Sequence, residues 1–155
     1  MTISIRRGVS TDVETIFQIR TGVTQNHLSY EQLEKRGITR DSVAEALDAE
    51  PCCWVAEWEG QIAAFTMIDA ETGSIFALFV RPDMEGRGLA TLLMNEAEKA
   101  LFSTHSSIWL TTDPADHVRA NGFYRHSGWL PVGIDDHGEM RYEKIRPTET
   151  ITPVS

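Results

Sequence analysis

Two short stretches of this chain hold residue types whose spacing could do chemistry. The first is Glu85-Gly86-Arg87-Gly88-Leu89-Ala90. It follows the β-branched and aromatic run Ser74–Val80, which reads as a buried strand stopped by Pro82 and Asp83. Beyond it, Leu89, Leu92, Leu93, Ala97, Ala100 and Leu101 recur at helical spacing. A glycine turn that feeds a helix leaves main-chain N–H groups unpaired and aimed outward. Their partial positive charge suits a phosphate or pyrophosphate, and Arg87 adds a cation. The second stretch is Phe123-Tyr124, followed by Gly128-Trp129, which places a phenol near the end of a predicted helix.

The elements that must position these groups can be read in order. Ile3 and Ile5 mark a strand over residues 2–7. Thr11-Asp12-Val13-Glu14 reads as a capping box, with Val13, Ile16, Phe17 and Arg20 on the helix face behind it. Ser29 caps a short helix to about Lys35, which Gly37 breaks. A further helix spans Asp41 to Ala49. Strands Cys52–Trp58, Gln61–Asp69 and Ser74–Val80 follow, turned by Glu59-Gly60 and Glu71-Thr72-Gly73 into an antiparallel meander. After the glycine-fed helix comes a strand at Ser107–Thr112. A crossover from Ser74–Val80 makes these two strands parallel. Asp113-Pro114 opens a helix expected to carry Ala115, Val118, Gly122 and Phe123 on one face. Strands Trp129–Ile134 and Glu139–Ile145 close the sheet, and Pro147 starts a polar tail.

Taken together, these features resemble the GNAT superfamily of N-acetyltransferases. The Gly86-Arg87-Gly88-Leu89-Ala90 turn matches that family's acetyl-CoA signature. Ala120-Asn121-Gly122-Phe123-Tyr124, with Gly128-Trp129 after it, is similar to the family's second block. Glu85 stands where the family usually has Gln or Arg, and His117 where it often has Asn.

The resemblance implies an α+β fold of three layers. A mixed, mostly antiparallel sheet of about seven strands would splay between its fourth and fifth strands, with helices on both faces. It implies a single domain over residues 1–146 and acetyl-CoA as co-substrate, with no metal. Phe79 and Val80 would offer backbone bonds to pantetheine. The amides of Arg87, Leu89, Ala90 and Thr91, with Gly86 and Gly88 shaping the turn, would hold the pyrophosphate. His117 would lie beside pantetheine. Tyr124 would protonate the departing thiolate. The Ser74–Val80 strand carries no Glu to act as base, leaving Asp69, Glu71, Asp113, His27 or a water chain. Acceptor selection falls to Asn26-His27-Leu28-Ser29-Tyr30, with His27 and Tyr30 as substrate-binding residues, and to Asp135-Asp136-His137.

Composition narrows the alternatives. The chain has 155 residues, 41% hydrophobic and 24% charged, enough for one buried core. Its net charge of -9 shows no basic patch of the kind nucleic acid needs. No apolar run approaches the ~20 residues of a membrane span, and the first residues lack an apolar signal core, so a cytoplasmic protein is expected. Cys52 and Cys53 point to opposite faces of a strand and read as small apolar residues in a reducing compartment. The exposed late strand could pair in a homodimer. Two rival functions stay open: a dinucleotide-binding protein, and a non-catalytic acyl-CoA sensor on the same fold. The dinucleotide fingerprint lacks its third glycine here, with Thr91 in that place.

Overall fold

The computed structural model describes residues 2–23, 28–115 and 119–147. Its elements are β1 (Ile3–Arg7), α1 (Val13–Gly22), α2 (Tyr30–Lys35), α3 (Arg40–Ala49), β2 (Cys53–Trp58), β3 (Gln61–Asp69), β4 (Ser74–Val80), α4 (Leu89–Phe102), β5 (Ser107–Thr112), α5 (Arg119–His126), β6 (Leu130–Ile134) and β7 (Met140–Ile145). The seven strands form one sheet in the order β1-β2-β3-β4-β5-β7-β6. All neighbours are antiparallel except β4 and β5, which run parallel as the helical crossover requires.

Chain entry into the first helix differs from the expected capping box. A 3-10 turn over Ser10–Asp12 precedes α1. The Asp12 carboxylate, not Thr11, accepts from the Val9 amide at 2.9 Å and from both terminal nitrogens of Arg6. Arg6 thereby holds the Asp12 carboxyl below its usual range, more strongly than burial raises it. Glu14 pairs with Arg40 instead of reaching back to Thr11. The two later helices behave as read. Ser29 and Gln32 form a reciprocal cap on α2, and Thr39 with Ser42 does the same for α3, which begins at Arg40. Between β2 and β3, Glu59 and Gly60 both have positive φ, 51° and 83°, the conformation a two-residue hairpin turn needs.

Side-chain alternation along β3 and β4 puts helices on opposite faces. Phe65 and Phe79 are register partners whose rings lie 5.8 Å apart, and the Arg20 guanidinium of α1 covers Phe79 at 4.2 Å. The neighbouring Ala64, Leu78 and Val80 turn the other way, onto Leu89 and Leu93 of α4. Small residues Ala56, Ala63 and Ala64 let that helix lie close to the sheet. Leu92, expected within the apolar stripe, is 38% exposed. The contact line follows rows of four residues, Leu89, Leu93, Ala97 and Leu101, all buried, and Leu92 falls to its side.

Two irregularities sit on β4. Its register with β3 shifts by one between Met67 and Ile68, which leaves Phe76 without a partner. On its other side, β4 meets β5 in a single register pair, Ser74 with Trp109.

The helix expected to open at Asp113-Pro114 is shorter than read. Residues 113–115 are not helical, and the described helix begins at Arg119. Asp113 spends its side chain on a local turn, Oδ1 accepting from the Ala115 amide at 2.9 Å. Val118 and His117 lie outside the described residues, as do residues 24–27 and the tail beyond Pro147. Cys52 and Cys53 are buried free thiols, and burial pushes the Cys53 thiol up to about 12. Among the described residues, no helix is long and apolar enough to cross a membrane.

Candidate active site

The glycine turn makes its site from backbone. Gly86 and Gly88 have φ of +76° and +80°, conformations that side-chain-bearing residues rarely adopt. Gly88 is the N-cap of α4, and no side chain caps that helix. No acid occupies its first turn. The first-turn amides and the positive end of a 14-residue helix are therefore both available to an anion.

These amides face a cavity of about 360 Å³. Phe79 and Val80 line it from the end of β4; Gly86 and Gly88 line it from the turn. Leu89, Ala90 and Thr91 line it from α4, and Phe123 and Tyr124 from α5. Eight of the expected cofactor contacts thus share one cavity, although they come from three separate stretches of chain. Arg87 is not on its wall. The Arg87 guanidinium lies 4.7 Å from the centre of the Trp58 ring, a cation–π contact that turns the charge toward β2. The cation beside the cavity is Arg119, paired with the Glu85 carboxylate. That pairing draws Glu85 toward α5 and offsets the negative charge where an anion would sit. His117 lies outside the described residues.

Tyr124 is fixed by aromatic packing. Its ring lies 5.5 Å from Tyr142, 5.6 Å from Phe123 and 6.4 Å from Trp129. Burial, and then the nearby Tyr142, push its phenol above the ordinary tyrosine range, so it holds its proton throughout neutral pH. Below it, Asn121 ties α5 to both neighbours. Its Nδ2 donates to the Asp113 carbonyl at 2.8 Å and to the Ala115 carbonyl at 3.2 Å, while its Oδ1 accepts from the Tyr142 hydroxyl at 2.8 Å. Glu98 does similar work outside the cavity, accepting from Trp129 Nε1 and pairing with Lys144. Sequence reading quoted Asn121 only as part of a motif. Its role depends on strand pairings that no local pattern reveals.

The acid–base candidates separate. Asp69 caps the β3–β4 turn, its Oδ1 accepting from the Glu71 amide at 3.0 Å. It and Glu71 sit at the opposite end of β4 from the cavity. Asp113 lies just past the end of β5. Glu139, which sequence reading did not single out, flanks β7 where Thr112 pairs with Met140, next in chain to Asp113 and Glu139 respectively. Burial, then Asp135 and Asp113, raise the Glu139 carboxyl above its usual range. A raised carboxyl is a better proton acceptor near neutral pH. His27 lies outside the described residues. Tyr30 stacks on Phe17 at 5.1 Å under the Arg40 guanidinium, and its hydroxyl is buried with no hydrogen-bond partner among the described residues. It does not line the cavity at the glycine turn. Among the described residues, no group of three or more His, Cys, Asp or Glu could hold a metal ion.

Comparison with known proteins agrees with this geometry. The profile of the acetyltransferase (GNAT) family matches residues 12–129, about three quarters of the sequence. The chain belongs to the GNAT acetyltransferase family. It is 35% identical over 66 residues to a mycothiol acetyltransferase of Beutenbergia cavernae, a match that covers 43% of this chain and 22% of that protein. The chain therefore spans about a fifth of the length of that curated relative. Among solved structures, it superposes on the PaiA N-acetyltransferase of Thermoplasma acidophilum in complex with coenzyme A, with a TM-score of 0.78, 17% identity and coverage of 94% of this chain and 100% of that one. A GNAT acetyltransferase of Streptococcus pneumoniae gives a TM-score of 0.77 at 15% identity, with 94% and 100% coverage. These structural likenesses establish the fold.

Proposed function

We propose that this GNAT protein transfers the acetyl group of acetyl-CoA directly to a primary amine within a ternary complex. The observation that carries the reading is the cavity that joins the uncapped amides of α4 to the end of β4 and to the Tyr124 ring. The Thermoplasma protein was solved with coenzyme A, and the family resemblance takes the same ligand to this cavity.

In this reading the amides of residues 88–91 hold the pyrophosphate. β4 meets β5 only at Ser74, so the rest of its edge is free to receive the pantetheine amides in the manner of an added strand. The thioester then lies near Phe79 and Tyr124. The neutral amine attacks the thioester carbonyl, and a C–N bond forms as the C–S bond breaks. The amine proton passes to a base or, through a chain of water, to solvent. Tyr124 gives its proton to the departing thiolate. Holding both reactants in one cleft supplies much of the acceleration.

Calorimetry with acetyl-CoA and a thiol-release assay over a panel of amines test this directly. Heat of association and release of CoA-SH are the expected results. Heat without thiol release for any amine would favour an acyl-CoA sensor, and stabilisation by NAD alone would favour dinucleotide binding.

A further inference from the structure

The helix that carries Tyr124 is docked by an amide. The buried residues of α5 are Asn121 and Tyr124, three positions apart and so on one face of the helix. An apolar side chain at 121 would dock the helix without burying a polar group. Asn121 instead engages three partners, the Asp113 and Ala115 carbonyls through Nδ2 and the Tyr142 hydroxyl through Oδ1. Carbonyl oxygens only accept, so the amide can lie only one way round. Tyr142 is fully buried in β7, opposite Leu110 of β5, and its ring packs on that of Tyr124 at 5.5 Å.

This clamp stands where the sheet is least tied. β4 and β5 are joined at one end, by the register pair of Ser74 with Trp109 and by the Trp109 amide, which donates to the Gly73 carbonyl at 3.1 Å. Toward the cavity the two strands share no further register pair. There β5 is held by β7, as far as Thr112 with Met140, and the chain beyond it by Asn121. One amide therefore fixes the chain leaving β5, the helix that bears Tyr124, and the Tyr142 ring on which Tyr124 rests.

We infer that Asn121 is a positioning residue for acetyl transfer, which with Tyr142 sets where the Tyr124 hydroxyl stands across the cleft from β4. The inference rests on the acetyl-transfer reading above, with Tyr124 as its acid. Asn121 does not line the cavity, so it acts through the Tyr142 ring and the placement of α5. A small displacement of the phenol lengthens the proton path to sulfur and leaves the donor's hold on α4 and β4 as it was.

Two variants test it. Tyr142→Phe keeps the ring beneath Tyr124 and removes only the hydroxyl. Asn121→Leu combined with Tyr142→Phe replaces both partners by apolar groups of similar shape, a change that preserves folding. Asp113 and Ala115 are half-buried, so their carbonyls can turn to water. With CoA-SH release from acetyl-CoA and the fastest amine of the panel as the readout, kcat should fall about tenfold in both variants, with the KM for acetyl-CoA unchanged. A thermal melt of the paired variant shows that it is folded. In a Tyr124→Phe background, Tyr142→Phe should lower kcat no further, because its effect passes through the hydroxyl already removed. A merely structural role would lower kcat equally in both backgrounds. Full kcat in the paired variant, or equal losses in the two backgrounds, overturns the inference. An unaltered kcat in Tyr124→Phe alone, or failure of acetyl-CoA to bind, would strike the acetyl-transfer reading itself, so the two failures are distinguishable.

Discussion

Two cavities of this molecule are nearly equal in volume, about 360 Å³ at the glycine turn and 310 Å³ on the α1 face of the sheet, yet they are built by opposite means. The first takes its charge from main chain. Its donors are amides at an uncapped helix start, held open by two glycines with positive φ. The second takes its charge from two long side chains on α1 and just after α2. A backbone site binds whatever presents a phosphate, and it leaves surrounding side chains free to change. A side-chain site can be re-specified by one substitution.

Four experiments would break or sharpen that comparison. The largest effect is expected at Tyr124, on the wall of the first cavity. Tyr124→Phe keeps the aromatic packing and removes the proton donor, so kcat should fall about 100-fold or more with acetyl-CoA affinity unchanged. Steady-state kinetics paired with calorimetry checks this, and an unaltered kcat would remove Tyr124 from the chemistry.

Next comes the backbone site. A Cβ at Gly86 or Gly88 would meet nothing within 4 Å, so substitution there costs conformation rather than space. A β-branched residue is strained at such φ by roughly 1–2 kcal/mol per position. Gly86→Val with Gly88→Val should weaken acetyl-CoA binding about 10- to 100-fold. Titration of acetyl-CoA into the double variant decides it, and unchanged affinity would move the pyrophosphate away from this turn.

The third effect belongs to the reacting amine. It attacks only when neutral, so kcat/KM should rise about tenfold per pH unit below the acceptor's own pKa and level off above it. Tyr124, raised by burial, keeps its proton over that range and should add no second limb. A pH profile of kcat/KM checks this, and a profile indifferent to the acceptor's pKa would count against direct attack.

The smallest effect is expected at Glu85. Its carboxylate pairs with Arg119 at an exposed position, where ion pairs are weak. Glu85→Gln removes a negative charge from the phosphate end and should tighten acetyl-CoA up to about fivefold at low salt, less at high salt. Affinity measured against ionic strength checks both parts.

What could be read from the residues follows the same division. The glycine turn, the amphipathic α4 and the Phe123-Tyr124 pair are local patterns, and the structure brings them to one cavity. The β2–β3–β4 meander and the parallel β4–β5 pair were also legible, because hairpin turns and a helical crossover leave few alternatives, whereas the placing of β7 between β5 and β6 was not. The helix expected at Asp113 was misplaced because Asp113 spends its side chain on a turn. Arg20 was taken as one more position on a helical face. Its companion Arg36 lies 16 residues on, in another segment, and only tertiary packing shows that the two line one space. Glu139 escaped for the same reason, since its carboxyl is raised first by burial and then by Asp135 and Asp113, and only tertiary packing sets its burial.

The unpaired residue of β4 is an insertion that the sheet absorbs. Met67 and Ile68 are consecutive on β3 while their partners Ala77 and Ile75 are not, so losing Phe76 would close the ladder and leave Ala77 to Val80 with the partners and faces they have now. Phe79 would stay opposite Phe65, and the wall that β4 gives the first cavity would keep its shape. A chain one residue shorter at this point should still bind acetyl-CoA, so strand length there separates relatives by ancestry and not by activity.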